Sequence, residues 1–148
     1  MMSTDEKTTE DLVKTLKNGE EGFRKASERL SESDSAELGA EFMTYSQQRA
    51  QFAAELVSMA KSYGDEVAER TTVPAAVHRG WITVKDVLTG SSPEAVLKAA
   101  LTGEDHAVSE YEDAMKTDIS ADLRTVLSRQ FAEVSSTRNR VKTLAEQQ

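Results

Sequence analysis

Apolar residues recur at alternating spacings of three and four along almost the whole chain, which is the mark of helices burying one face. A first helix is expected over about 9 to 31, with Leu12, Leu16, Gly19, Phe23, Ala26 and Leu30 on one seam, before "SESDS" breaks it. A second, over about 35 to 63, carries Leu38, Phe42, Tyr45, Arg49, Phe52, Leu56, Met59 and Tyr63, and the glycine of "YGDE" stops it. Pro74 opens a short third helix, about 74 to 89, in which Val77, Trp81, Val84 and Leu88 share a face. The fourth, about 93 to 116, presents Leu97, Leu101, Val108, Tyr111 and Met115; the fifth, about 120 to 146, starts at a Ser120 cap and presents Leu123, Leu127, Gln130, Val134, Thr137, Val141 and Leu144. No stretch alternates with the period of a strand, so the fold class is all-α. Residues 1–8 precede the pattern and are expected to be a disordered N-terminal segment, with residues 9–146 forming a single domain.

Four long helices with such seams suit an antiparallel four-helix bundle, the short extra helix lying in the connection between the second and third long ones. Loop lengths leave the topology open between a simple up-and-down order and the long-crossover order of ferritin-like proteins.

Three seam positions near the middles of their helices carry charged or amide side chains: Arg49, Glu104 and Gln130. They are expected to share one layer, opposite Gly19 on the first helix. A lone buried carboxylate is strongly penalised, whereas a guanidinium offers it two parallel donors. The structural reading is an Arg49–Glu104 pair, with Gln130 taking up the remaining hydrogen bonds. The functional reading has the same groups lining a metal or ligand pocket, and a seam shifted by one residue would instead leave the charges at the surface.

A chain of 148 residues with 38% hydrophobic and 30% charged residues can bury a sizeable core and reads as a soluble globular protein. Its formal net charge of -8 and scattered basic residues disfavour nucleic acid and anionic lipid as partners. No cysteine is present, the start "MMSTDEKTTEDL" has neither the basic nor the apolar region of a signal peptide, and no run is long enough to span a membrane. A cytoplasmic location is the expectation. No phosphate-binding loop and no serine, histidine and carboxylate set at a catalytic spacing is present. His78 and Trp81 are expected to be a structural anchor, the indole holding the short helix on the bundle; His106, off the seam, is expected to be solvated.

"NGEEGFRKA" (18–26), "RAQFAAEL" (49–56), "HRGW" (78–81) and "GED" (103–105) resemble, in that order, a bacterial family of uncharacterised ferritin-like four-helix proteins known as a domain of unknown function. The resemblance implies a ferritin-like fold, a tendency to pair as symmetric homodimers and, as for many ferritin-like proteins, a setting in stress physiology. Val13, Val57 and Val126, outside the strict seams, would widen an apolar face for such pairing. Metal-active ferritin-like bundles use four glutamates and two histidines at Glu-x-x-His spacing. Here Glu21, Glu55, Glu104 and Glu133 lie at suitable levels, but Ser58 and Ser136 stand where the histidines belong. The preferred expectation is a non-catalytic bundle without a cofactor, acting through self-association or a protein partner. The alternative is a metal-binding or redox protein holding iron or manganese on those four carboxylates.

Overall fold

The computed structural model describes residues 3–33, 35–64 and 92–147. The chain forms α1 (Thr4–Glu32), α2 (Ala36–Ala60), a 3-10 turn over Lys61–Tyr63, α3 (Pro93–Met115) and α4 (Ala121–Glu146). Among the described residues there is no strand, and no helix is long and apolar enough to cross a membrane. The short helix expected over about 74 to 89, with His78 and Trp81, lies outside the described residues.

The main correction to the sequence reading is at the start. Residues 4–8 are not a disordered segment but the first turn of α1. Ser3 Oγ accepts from Glu6 N at 3.1 Å, and Ser3 N donates to Glu6 Oε2 at 3.3 Å, a reciprocal capping box that satisfies amides a helix start leaves open. Asp5 Oδ1 then accepts from Ser120 N at 2.8 Å, tying the start of α1 to the cap of α4. Thr8 and Thr9 are buried, so this turn packs although it offers no large hydrophobe. The other ends agree closely with expectation. Gly64, at φ 124°, ends the turn after α2 in a conformation that favours glycine, and Ser120 Oγ caps α4 by accepting from Leu123 N at 3.2 Å.

The seams converge on two hydrophobic clusters. One joins Leu12, Val13 and Leu16 of α1 with Phe52 and Leu56 of α2, Tyr111 of α3, and Leu123, Leu127 and Val134 of α4. The other joins Phe23, Ala26 and Leu30 of α1 with Phe42 of α2, Val96 and Leu97 of α3, and Val141 and Leu144 of α4. The first gathers the beginnings of α1 and α4 with the later parts of α2 and α3, and the second gathers the opposite halves. The chain therefore leaves α2 beside one cluster and enters α3 beside the other. Val13 is fully inside the core and adds nothing to an apolar outer face, whereas Val57 and Val126 pack partly buried against the same cluster.

Helices α1 and α2 cross closely near their connection. Ser27 Oγ donates to Gly39 O at 2.5 Å. A Cβ on Gly39 would collide with Ser31 Oγ and stand 3.0 Å from Ser27 O, so this crossing needs a glycine for space.

Candidate functional site

Between the two clusters lies the charged pair. Arg49 of α2 and Glu104 of α3 are 1% and 0% exposed, and both are held in place by rigid helix interiors. Arg49 Nη1 donates to Glu104 Oε1 at 2.8 Å and Nη2 donates to Oε2 at 2.5 Å, the parallel fork that matches a carboxylate. Arg49 Nε reaches Gln48 Oε1 at 3.4 Å, and Thr137 Oγ1 of α4 donates to the same amide oxygen at 3.5 Å. The guanidinium carbon stands 5.2 Å from the centroid of the Phe23 ring, a cation–π contact out of water. Gly19 lies alongside: a Cβ there would meet Arg49 Nη1 at 3.4 Å, ordinary contact, so the glycine leaves room for the arginine without being strictly required by it. Burial pushes the Glu104 carboxyl up from its ordinary range, and the Arg49 guanidinium opposes that push.

Gln130 is buried as expected, but it does not serve this pair. Its Oε1 accepts from Tyr111 Oη at 2.7 Å, while Nε2 donates to Glu55 Oε1 at 2.8 Å and reaches Phe52 O at 3.4 Å. The single polar layer expected from the seams is therefore two separate nodes. Tyr111 was read only as a seam hydrophobe; its buried hydroxyl, which requires a partner, is the signal that would have revealed the second node. Burial raises the Tyr111 phenol well above its ordinary value.

The four glutamates of the metal reading do not come together. Glu21 is 48% exposed on the outside of α1 and pairs with Arg24 and Lys25 of its own helix, which lower its carboxyl. Glu55 pairs with Arg129, chiefly responsible for holding its carboxyl low, and with Gln130. Glu133 is exposed beside a polar groove lined by Thr44, Gln47, Gln51 and Arg129. Only Glu104 reaches the centre, where Arg49 occupies the space a cation would need. Among the described residues no three histidine, cysteine, aspartate or glutamate side chains are arranged to hold a metal ion. The four-carboxylate iron or manganese site is thus not formed. His106 is partly buried, not solvated, with Nε2 3.4 Å from Glu110 Oε1.

Chemically, the centre is a closed ion pair whose two carboxylate oxygens both accept from one guanidinium. Residues 6–117 match a family described as a domain of unknown function (DUF2383), and the chain belongs to that family. No curated protein and no solved structure matches it.

Proposed function

Starting from membership of this domain family, we propose that the chain is a ferritin-like antiparallel four-helix bundle whose centre is structural. In this reading it works in the cytoplasm by association, as a homodimer or with a protein partner, and performs no catalytic step. The observation that carries the reading is the bidentate Arg49–Glu104 pair: at the level where metal-active bundles gather carboxylates, this chain places a fixed positive charge. The ferritin-like order is supported by the two clusters, because a chain that leaves α2 at one and enters α3 at the other needs a connection running the length of the helices.

Sedimentation velocity at high protein concentration, combined with elemental analysis of protein purified without chelators or a histidine tag, tests both halves. The expected result is twice the chain mass of 16.3 kDa and no stoichiometric iron or manganese. A species of 16.3 kDa at every concentration, with no partner recovered by crosslinking in cells, would remove the association. Stoichiometric metal lost in Glu104→Gln would replace the structural centre with a reduced metal site.

A further inference from the structure

Helix α2 turns outward a face unlike those of the other helices. Between residues 40 and 58 its exposed positions are Ala40, Thr44, Gln47, Gln51, Ala54 and Ser58, and none of them is charged. The charged residues of the same span are directed elsewhere. Arg49 is buried, and Glu41 and Glu55 lean toward α4, where Arg140 and Arg129 neutralise them. In a chain of which 30% of the residues are charged, the other helices expose charges, among them Glu21 and Arg24 on α1, Asp105 and Glu112 on α3, and Arg124 and Lys142 on α4.

The six exposed positions follow one another at spacings of four, three, four, three and four, so they form one narrow strip along the helix, about 27 Å long. The order of spacings is the same from either end. A two-fold axis between Gln47 and Gln51 therefore sets every position opposite another of the same set when two copies of α2 lie antiparallel. Gln47 meets Gln51, Thr44 meets Ala54, and Ala40 meets Ser58. A carboxamide both donates and accepts, so the glutamines satisfy each other, and the small side chains beyond them let the helices approach. Charge selects the occupant. A second copy carries the same net charge of -8, and near a two-fold axis it would set the charges of any other helix against their own kind. A different partner could bring opposite charge to those faces; a copy is best met where there is none.

We propose that this uncharged face of α2 is the surface on which a second copy of the chain docks, with the two α2 helices antiparallel about a two-fold axis between Gln47 and Gln51. The inference rests on the association reading above and narrows it to one face and one partner. Partly buried Met43, Ala50 and Val57 border the strip and supply apolar contact along its edge.

Sedimentation of two charge variants of the full chain, alone and mixed, is the test. Gln47→Glu with Gln51→Glu, and separately Gln47→Lys with Gln51→Lys, place like charges from both copies around the axis. Each is expected to weaken dimerisation by more than about tenfold and to run at the single-chain mass of 16.3 kDa where the wild type runs at twice that mass. An equimolar mixture of the two should return to the dimer mass, which also shows that each variant is folded. Thr102→Glu with Ser109→Glu, adding the same charge at exposed positions of α3, should leave the dimer intact. Persistence of the dimer in both α2 variants, equal dissociation in the α3 variant, or no recovery on mixing would overturn the proposal while leaving association through another face in place. A wild type that stays at 16.3 kDa at every concentration would instead remove self-association itself, and this interface with it.

Discussion

The two polar nodes interrupt the same core but handle burial differently. At the first, Arg49 and Glu104 are both charged, both sealed from water, and each depends on the other. At the second, Gln130 is a neutral amide that bonds the buried Tyr111 hydroxyl on one side and, on the other, half-exposed Glu55, which pairs with Arg129. The comparison teaches where the fold is brittle. Removing half of a buried ion pair strands a charge, while removing part of an amide chain strands only a dipole.

Breaking the first node should therefore have the largest effect. Arg49→Met is expected to destabilise the fold by about 3–5 kcal/mol in urea unfolding near neutral pH. The deficit should also depend on pH in an unusual direction. The Glu104 carboxyl is raised by burial, and with Arg49 gone nothing of comparable strength opposes it. A group whose folded pKa is raised contributes stability that is complete below its ordinary value of 4.5 and is lost as pH rises through the folded value. The variant should thus come closest to the wild type in acid and fall furthest behind on the way to neutral pH.

The second node should yield less. Gln130→Met leaves the buried Tyr111 hydroxyl without its acceptor and is expected to cost about 1–3 kcal/mol by the same unfolding measurement, with little change in the deficit across the pH range around Glu104. A loss as large as that of Arg49→Met would mean that the two nodes act as one.

The surface pair between α2 and α4 extends the contrast to exposed charge. Arg140 donates to Glu41 through Nε at 2.9 Å and Nη2 at 3.1 Å and holds that carboxyl low against a smaller opposing effect of burial. A lowered carboxyl contributes stability above its ordinary value of 4.5 that is lost as pH falls through the folded value, the reverse of Glu104. Glu41→Gln should flatten the acid side of the stability profile and cost at most about 1 kcal/mol at neutral pH. Smallest, and of opposite sign, is Gly19→Ala. Its new methyl would stand in ordinary contact with Arg49, and the helix interior gains up to about 1 kcal/mol, measured as a raised unfolding midpoint.

The long helices and the ion pair were legible because each rests on periodicity: a carboxylate and a guanidinium on facing seams have few alternatives to pairing. Two features were not legible, for different physical reasons. The start of α1 was hidden because "TDEKTTED" carries no large hydrophobe, and its burial depends on Thr8 and Thr9 and on a tertiary bond from Asp5 to the α4 cap. The Ser3 to Glu6 capping box was present in the sequence as the available signal. Gln130 was assigned to the wrong node because counting along a helix fixes a face more firmly than a level, and about two turns of displacement along α3 exchange Glu104 for Tyr111 as its partner. Likewise, helix level alone placed Glu21, Glu55 and Glu133 beside Glu104, while Glu21 lies on the outside of α1 and Glu55 and Glu133 lie near Arg129 at the surface, away from the centre.

The account turns on the claim that Arg49 and Glu104 stabilise each other and serve nothing else. The most direct test is urea unfolding at neutral pH of Arg49→Met with Glu104→Leu, beside Arg49→Met alone. Replacing a buried ion pair by apolar residues of similar size is often neutral or better, so the double variant should regain most of the stability that the single variant loses. A double variant as unstable as Arg49→Met, or more so, would contradict the account.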